Sequence, residues 1–331
     1  MRAFVNPAFA PEAVAAPSGD ALAFHRALAG YAPSPLRDLG GGVWLKDESD
    51  RLGLPAFKVL GVSWAVERAL RLDPQVKTLV AASAGNHGRA VAHVAAVRGL
   101  SCRIYLPARS VPARRSAIEA EGADVVVVDG TYEDAVLLAQ RYAEGPDAVE
   151  LADVGSSPSA SWVIDGYATL FSEIDLGFDA VLVPIGVGSL GAAAARWGAA
   201  AGTPVIGVEP DVAACLTAAL IAGEPTVIDT PGTAMAGLDC AVVSVAAWDT
   251  LHAGIRGTVT VSDAETGAAM RELAAGGLAI GDSGAAPLAA LHALRADPAC
   301  AALRDVVSLD RVLLIATEGP TDPVGYAATI A

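Results

Sequence analysis

The stretch Ala180-Val-Leu-Val-Pro-Ile-Gly-Val-Gly-Ser-Leu-Gly-Ala-Ala-Ala-Ala195 carries the pattern that decides the fold. An aliphatic run, Ala180–Pro184, is followed by a glycine-rich turn and then by an alanine-rich segment. A short, uninterrupted apolar run that ends in glycines is typical of a strand buried on both faces. The alanine-rich segment is expected to form a helix that covers one face of the sheet containing this strand.

The same rhythm recurs along the chain. It predicts strands at residues 77–82, 102–106, 124–129, 205–209 and 311–316. It predicts helices at residues 89–99, 114–122 and 131–143, the last with Thr131 as its N-cap. Apolar strands that alternate with helices predict an α/β fold with mostly parallel, twisted sheets covered by helices.

Two series of such elements predict two domains, with the ligand in the crevice between them, at the carboxyl ends of the strands. We expect a large domain formed by residues 1–75 and 161–331, and a small α/β domain formed by residues 76–160.

The composition excludes several classes of protein. Of the 331 residues, 53% are hydrophobic and 18% charged, which argues against intrinsic disorder. No run of about 18 apolar residues occurs, and the first residues lack the apolar core of a secretory signal, so we expect a cytoplasmic protein without a membrane partner. The net charge of −15 argues against a nucleic-acid partner. The spacing of the histidines and cysteines predicts no metal site.

The turn Gly186-Val187-Gly188-Ser189-Leu190-Gly191 predicts an anion-binding loop. Glycines let several backbone amides point at one place, and the following helix adds the positive end of its dipole. Phosphate is the expected ligand, although an ordinary glycine-rich turn has the same pattern. The turn also matches GxGxxG, and Glu209 follows 18 residues after Gly191, as in a dinucleotide site. A nicotinamide-dependent dehydrogenase is therefore an alternative at this point.

The turn Ser83-Ala84-Gly85-Asn86-His87-Gly88 lies between another predicted strand and helix. A hydroxyl, a side-chain amide and several free backbone amides meet there, which suits a carboxylate or a ring hydroxyl. A turn with no ligand is the alternative.

Lysine is scarce: Lys46, Lys58 and Lys77 are the three in the chain. Lys58 stands between Phe57 and Val59, so burial is expected to lower the pKa of its amine, as a covalent reaction with a carbonyl group requires. An ordinary lysine that extends its amine into solvent is the alternative.

Taken together, these segments resemble the fold-type-II pyridoxal-phosphate (PLP) enzymes, the group of tryptophan synthase β, threonine dehydratase and cysteine synthase. Within that group the chain is most similar to the diaminopropionate ammonia-lyases. The resemblance extends from about residue 44 to residue 326. Besides the two turns above, the matching segments are residues 46–61, Ser161-Trp-Val-Ile-Asp-Gly-Tyr-Ala-Thr169, Val208-Glu-Pro-Asp211, Ala236-Gly-Leu-Asp-Cys240, Gly281-Asp-Ser-Gly284 and Ala316-Thr-Glu-Gly319 with Thr321-Asp322.

The resemblance implies PLP as the cofactor and assigns residues to it. Lys58 corresponds to the lysine that bonds covalently to PLP, Asn86 to the residue facing the 3′-oxygen, and residues 186–191 to the phosphate loop. Thr317 corresponds to the hydroxyl residue at the ring nitrogen. A neutral hydroxyl does not hold that nitrogen protonated, which favours loss of a β-substituent over transamination.

The resemblance also implies a small amino-acid substrate and a homodimer. Asp153 corresponds to a catalytic acid–base carboxylate. Ser83 and the amides of Ala84, Gly85, Asn86 and His87 would hold the substrate carboxylate.

Three departures from the family pattern concern the substrate. The second catalytic carboxylate of the family falls at Ala84, a methyl group. Asp282 replaces a glutamate, and Ala241-Val242 replaces a glycine–glutamate pair.

The expected function is a PLP-dependent α,β-elimination on 2,3-diaminopropionate or a close analogue, which gives a 2-oxo acid and ammonia. A serine/threonine dehydratase, a β-replacement synthase, and a binding protein with weakened catalysis are alternatives within the same fold. The resemblance also places Cys215 and Cys240 where a disulfide can form, whereas a cytosolic location favours free thiols.

Overall fold

The computed structural model describes residues 1–108 and 110–331, and its strands form two sheets. The strands are β1 (Ala3–Val5), β2 (Leu36–Gly40), β3 (Val43–Asp47), β4 (Thr78–Ala82), β5 (Ser101–Pro107), β6 (Asp124–Val128), β7 (Ala148–Glu150), β8 (Ala180–Pro184), β9 (Val205–Pro210), β10 (Ile255–Val261) and β11 (Val312–Ala316).

Helices alternate with the strands along the chain. The α-helices are α1 (Asp20–Arg26), α2 (Lys58–Leu72), α3 (Asn86–Arg98), α4 (Pro112–Ala120), α5 (Tyr132–Ala143), α6 (Pro158–Ser172), α7 (Ser189–Ala201), α8 (Cys215–Ala222), α9 (Val245–Gly254), α10 (Asp263–Ala275), α11 (Asp282–Ala296), α12 (Ala301–Arg304) and α13 (Pro323–Ile330). Two short 3-10 helices lie at Pro11–Ala13 and Pro298–Cys300. Within the described ranges, no helix is long and apolar enough to cross a membrane.

The larger sheet has seven strands in the order β1-β10-β9-β8-β11-β3-β2. Its five inner strands are parallel, while β1 and β2 run antiparallel at the two edges. All five residues of β8 and of β11 are buried, because helices cover both faces at the centre of the sheet. The continuous apolar runs of these strands are what such double-sided burial requires.

The smaller sheet has four parallel strands in the order β6-β5-β4-β7. All four strands fall between residues 78 and 150. This position supports a small domain at residues 76–160, although the exact division of the chain remains a prediction.

The predicted α/β class and its mostly parallel sheets are confirmed. Strand β8 has the predicted bounds, and helix α3 begins three residues earlier than the predicted residue 89. Thr131 caps α5 as predicted: its hydroxyl accepts from the amide of Asp134, whose carboxylate accepts from the Thr131 amide. This reciprocal capping depends on residues that are neighbours in sequence, so the sequence alone predicts it.

Two glycines bring α2 and α6 into close contact. A Cβ atom on Gly61 would lie 2.5 Å from the Tyr167 ring, and one on Gly166 would lie 2.6 Å from the Leu60 carbonyl oxygen. Larger residues at these positions would push the helices apart. The contact therefore fixes the position of α2, whose first residue is Lys58.

Candidate active site

The predicted functional segments follow the carboxyl ends of five strands. Lys58 comes after β3, residues 83–88 after β4, Asp153 after β7, residues 186–191 after β8, and Thr317 after β11. In parallel sheets these ends lie on one side, so residues far apart in sequence are brought together.

Lys58 lies between two of these segments. The amide of the preceding Phe57 donates to the Thr317 carbonyl oxygen at 3.2 Å, which ties the start of α2 to the end of β11. The Lys58 amine donates to the Asp153 carboxylate, with 3.1 Å between Nζ and Oδ2. The amine also lies 5.8 Å from the centre of the Tyr167 ring. The structure thus brings together Lys58, Asp153 and Thr317.

The other two lysines lie elsewhere. Lys46 is buried, and its amine contacts the Glu173 carboxylate at 2.6 Å and the Ser34 carbonyl oxygen at 2.8 Å. Lys77 is exposed, just before β4. Lys58 is therefore the lysine available for chemistry at the strand ends.

The pKa of Lys58 differs from the expectation. Burial lowers the pKa of the amine, but negative charge at Tyr167 and Asp153 outweighs that effect, so the pKa is raised. Burial raises the pKa of Tyr167 to about 12, so at neutral pH the charge comes from Asp153. The predicted lowering was wrong because the sequence neighbours of Lys58 indicate burial but not the carboxylate that faces the amine.

The glycine-rich turn leads into α7. Gly188 is the N-cap residue in the left-handed conformation, with φ of +95°, which favours glycine. The first amides of α7, from Ser189, Leu190 and Gly191, have no partner within the helix, as at every helix start. The Ser189 hydroxyl donates to the Asp153 carbonyl oxygen at 3.0 Å, so the turn adjoins the residue that contacts Lys58.

The members of this turn have different roles in packing. Val187 accepts the Ser244 amide at 2.8 Å through its carbonyl oxygen, and the Leu190 side chain belongs to the core. A Cβ atom on Gly186 would lie 2.6 Å from the Gly237 carbonyl oxygen, and one on Gly191 would overlap Ile185. Gly186 and Gly191 are thus required for close packing, which the motif by itself does not reveal.

Glu209 does not serve as the acidic residue of a dinucleotide site. It is fully buried, and its carboxylate accepts the amides of Leu216 and Thr217 at 2.6 and 3.0 Å at the start of α8. The dehydrogenase alternative was wrong. The spacing from Gly191 matched, but the carboxylate caps a helix.

The second turn, at residues 83–88, leads into α3. A Cβ atom on Gly88 would overlap the Ser83 carbonyl oxygen, so this position needs glycine. The Ser83 hydroxyl accepts the Gly85 amide at 3.3 Å. Helix α3 begins at Asn86, so its first amides point out of the helix as an anion site requires. The Asn86 side chain donates to the Glu318 carboxylate.

Asp153 and His87 form a second close pair in the site. His87 Nδ1 lies 3.6 Å from Asp153 Oδ2, and His87 Nε2 lies 2.7 Å from the Leu151 carbonyl oxygen. Burial raises the pKa of Asp153, but the positive charges possible on His87 and Lys58 outweigh it and lower the pKa to about 2. Burial lowers the pKa of His87, so at neutral pH Lys58 supplies the positive charge.

Two buried hydroxyls, Thr317 Oγ1 and the Tyr167 phenol, have no hydrogen-bond partner in the described part of the chain. Leaving such a group unpaired costs about 1–3 kcal/mol. A ligand with a ring nitrogen facing Thr317 would satisfy one of them. The free hydroxyl, the Lys58 amine and the helix start at Ser189 together fit a cofactor that carries a phosphate, an aromatic nitrogen and a reactive carbonyl.

Three polar residues of this region were not predicted to have a role. Burial and the charge of Asp282 raise the pKa of Glu318 to about 7. Burial, together with the charge of Asp153, raises the pKa of Tyr132, the first residue of α5. Glu318 lies within the segment 316–319 that carries the resemblance, so a role could have been sought there. Nothing in the sequence points to Tyr132.

The cysteines are free thiols. Cys215 Sγ donates to the Gly186 carbonyl oxygen at 3.4 Å, and Cys240 Sγ lies 3.2 Å from where a Cβ of Gly186 would stand. The disulfide that the resemblance allowed is not formed in this structure, although both thiols adjoin the glycine-rich turn.

Comparison with known proteins agrees with this geometry. The model of the pyridoxal-phosphate-dependent enzyme family matches residues 28–317. The diaminopropionate ammonia-lyase of Escherichia coli strain K12 is 31% identical over 357 aligned residues, which span 93% of this chain and 89% of that protein.

Solved structures agree as well. A crystal structure of the Escherichia coli diaminopropionate ammonia-lyase in complex with an aminoacrylate–PLP azomethine reaction intermediate has a TM-score of 0.89 and 29% identity, covering 99% of this chain and 96% of that chain. The same enzyme in complex with D-serine has a TM-score of 0.86 and 27% identity, with the same coverage. The chain therefore belongs to the pyridoxal-phosphate-dependent enzymes and, among them, to the family of the diaminopropionate ammonia-lyases.

Proposed function

We propose that this protein is a PLP-dependent ammonia-lyase that eliminates the β-substituent of 2,3-diaminopropionate or a close analogue, giving a 2-oxo acid and ammonia. The observation that carries the proposal is the convergence of three groups at the strand ends. They are the Lys58 amine, the Asp153 carboxylate 3.1 Å from it, and Thr317, whose carbonyl oxygen accepts the Phe57 amide at the start of α2. The buried Thr317 hydroxyl has no hydrogen-bond partner among the described residues.

Four parts of the chain would hold the cofactor. Lys58 would bond to it covalently, and the amides at residues 186–191 would bind its phosphate at the positive end of α7. Thr317 would face the ring nitrogen, and Asn86 would face the 3′-oxygen once its amide leaves Glu318. Lys58 and Ser189 both contact Asp153, and the Phe57 amide contacts Thr317. Asn86 contacts Glu318, the residue after Thr317, which supports a single cofactor site.

Bound PLP stabilises negative charge that develops at the substrate Cα atom. The open amides at the start of α3 would bind the substrate carboxylate, which fixes the amino acid next to Lys58. Beside the charged Lys58 amine, the Asp153 carboxylate is ionised at neutral pH. Without that positive charge the carboxylate is the base that would remove the Cα proton. Thr317, as a neutral hydroxyl, would leave the ring nitrogen unprotonated, which favours elimination over transamination.

A serine/threonine dehydratase is the second candidate function. One observation favours it: Ala84 presents a methyl group where the resemblance places a carboxylate. Serine and threonine lose a hydroxyl group from the same Cβ position, so the same Lys58 and Asp153 would serve both reactions.

The location and assembly are also part of the proposal. A cytoplasmic homodimer agrees with the resemblance to the family and with the free thiols of the four cysteines.

The direct test is to purify the protein with PLP and assay the release of 2-oxo acid. The visible absorbance of the bound cofactor should disappear on borohydride treatment, since Lys58 holds it covalently. A panel containing 2,3-diaminopropionate, serine, threonine and alanine, each as L and D forms, should then give most 2-oxo acid from 2,3-diaminopropionate. Faster turnover of serine or threonine would favour the dehydratase, and no release from any of them would refute the lyase.

A further inference from the structure

The His87 ring lies between two oxygen atoms in the interior. Its side chain is 3% exposed. Nε2 lies 2.7 Å from the Leu151 carbonyl oxygen, and Nδ1 lies 3.6 Å from Asp153 Oδ2. Both partners belong to the segment that follows β7, while His87 belongs to the first turn of α3. The backbone amide of His87 has a proposed role in binding the substrate carboxylate, but its ring has none so far.

These contacts fix the tautomer of the ring. A carbonyl oxygen can only accept a hydrogen bond, so Nε2 must carry the hydrogen that Leu151 accepts. In the neutral ring, Nδ1 is then an acceptor, and it is buried with no hydrogen-bond partner among residues 1–108 and 110–331. The Asp153 carboxylate that faces Nδ1 is an acceptor too. His87 Nδ1 and Asp153 Oδ2 are 3.6 Å apart and are not hydrogen bonded. A single proton between them would form a hydrogen bond.

The charge on Lys58 determines how strongly Asp153 and His87 attract that proton. In this structure its ammonium group, 3.1 Å from Asp153 Oδ2, supplies the positive charge near the carboxylate. When Lys58 is bonded to the cofactor, or is released from it as an uncharged amine, it does not pair with Asp153 as an ammonium group. The two acceptors then face each other with less compensating charge, so their combined affinity for a proton rises.

We propose that Asp153 and His87 form a proton-holding pair, in which His87 Nδ1 shares the proton that Asp153 removes from the substrate Cα atom. This inference rests on the proposed elimination reaction. His87 acts through Asp153 and is therefore a positioning residue. Leu151 keeps the ring oriented so that the free lone pair of Nδ1, and not a hydrogen, points at the carboxylate.

The proton balance of the elimination step is complete, and water then hydrolyses the eliminated product to the 2-oxo acid and a second ammonia. The Cα–H bond breaks and its proton goes to the Asp153–His87 pair, while the electron pair forms the Cα–Cβ double bond as the Cβ–N bond breaks. The β-ammonium group leaves as ammonia, which takes the proton from the pair and departs as ammonium. The pair returns to its unprotonated form without any further reactant.

Replacement of the ring tests the kinetic part of the proposal. The amide of His87→Gln can still donate to Leu151, but it cannot take up a proton. We expect kcat with the L-substrate to fall by about 10²-fold, with KM little changed. Proton removal should become slower than the other steps, so the isotope effect of Cα deuteration on kcat should increase. His93→Gln is the matched control, because His93 contacts Glu121 outside the site, and it should behave like the wild type.

Nitrogen-15 NMR of histidine-labelled wild-type holoenzyme tests the structural part independently of turnover. We expect the His87 ring at neutral pH to be uncharged with hydrogen on Nε2. An imidazolium, or a ring with hydrogen on Nδ1, would overturn the proposal, as would unchanged kcat and isotope effect in His87→Gln. If His87→Gln does not fold, the NMR experiment on the wild-type protein tests the proposal by itself. A wild-type protein that releases no 2-oxo acid would refute the elimination but not the tautomer.

Discussion

The side-chain amide of Asn86 donates a hydrogen bond to the carboxylate of Glu318. Asn86 begins helix α3, which follows strand β4 of the small sheet, and Glu318 follows strand β11 of the large sheet. The bond therefore links the segments that follow one strand of each sheet, where the proposed cofactor site lies. It also occupies the side chain that is proposed to face the cofactor, so binding of PLP and release of Glu318 should be coupled.

The first prediction concerns Glu318. Burial, together with the charge of Asp282, raises its pKa from 4.5 to about 7. Between these values the folded protein keeps a proton that the unfolded chain has lost, so the free energy of unfolding falls as the pH rises through this window. Glu318→Gln removes the titration and keeps an acceptor for Asn86. Between about pH 5 and about pH 8, the free energy of unfolding of Glu318→Gln should fall by about 1–3 kcal/mol less than that of the wild type. Urea unfolding of the cofactor-free proteins measures both values.

The control for this experiment is Glu119→Gln. Glu119 contacts Arg115 on the surface of α4, and an exposed pair of this kind contributes at most about 1 kcal/mol. The free energy of unfolding of Glu119→Gln should change with pH as it does in the wild type. The same pH dependence in Glu318→Gln would show that Glu318 is ionised in the folded protein.

The second prediction concerns covalent binding of the cofactor. Lys58→Ala should abolish turnover and the borohydride-sensitive absorbance, because the covalent bond needs a primary amine. The variant should remain folded, since its helix starts on a cap that does not use the lysine side chain. Lys77→Ala is the control, because Lys77 is exposed and outside the site. A borohydride-sensitive absorbance that persists in Lys58→Ala would exclude Lys58 as the attachment point.

The third prediction separates cofactor binding from backbone strain. Gly188 and Gly202 flank α7, both with positive φ, so valine at either position should lower stability by about 1–2 kcal/mol. At Gly188 a Cβ would also lie 2.5 Å from Leu251, whereas the space around Gly202 is open. Gly188→Val should weaken PLP binding at least about tenfold, and Gly202→Val should not. Titration of the apoenzyme with PLP gives both values, and equal affinities would exclude residues 186–191 as the phosphate loop.

The fourth prediction is stereochemical. The carboxylate that contacts Lys58 is Asp153, and Ala84 cannot accept a proton where the family resemblance places a second base. A positioned base contributes about 10²- to 10⁴-fold to the rate, so we expect L-2,3-diaminopropionate to be preferred over the D form by a factor in this range. Assays of both enantiomers with the native protein test this directly. Comparable rates would show that the missing carboxylate does not matter.

Variants locate the origin of this preference. Asp153→Asn keeps the shape of the side chain but not its basicity, so it should remove most of the activity on the L form. Lys58 is free once the cofactor has passed to the substrate. If its amine then acts as a base, Asp153→Asn will lose less activity on the L form. Ala84→Asp should restore some activity on the D form. If Ala84→Asp raises neither rate while PLP stays bound, the side chain at this position does not reach the Cα proton.

The fifth prediction concerns the thiols. Cys102, Cys215, Cys240 and Cys300 are free in the structure. A thiol reagent under denaturing, non-reducing conditions should therefore detect all four in freshly purified protein. Detection of two thiols instead of four would show that a disulfide has formed. Mass mapping would then identify its cysteines.

The sequence by itself determined the features that depend on near neighbours. The apolar run at Ala180–Pro184 and the glycines after it predicted strand β8 and the start of α7. The capping by Thr131 and Asp134 was predictable for the same reason. The order of the matching segments along the chain was sufficient to predict the family, because family resemblance is a property of sequence.

The tertiary structure decided the features that depend on contacts between distant residues. Glu318 meets Asn86 across 232 positions of the chain, and Asp153 meets Lys58 across 95. The pKa of Lys58 is raised rather than lowered because of that second contact. Glu209 has the spacing of a dinucleotide-binding acid, yet burial at the start of α8 commits it to capping. Electrostatic and hydrogen-bonding effects depend on distance in space, so the protonation of the site follows only from how the two sheets bring their strand ends together.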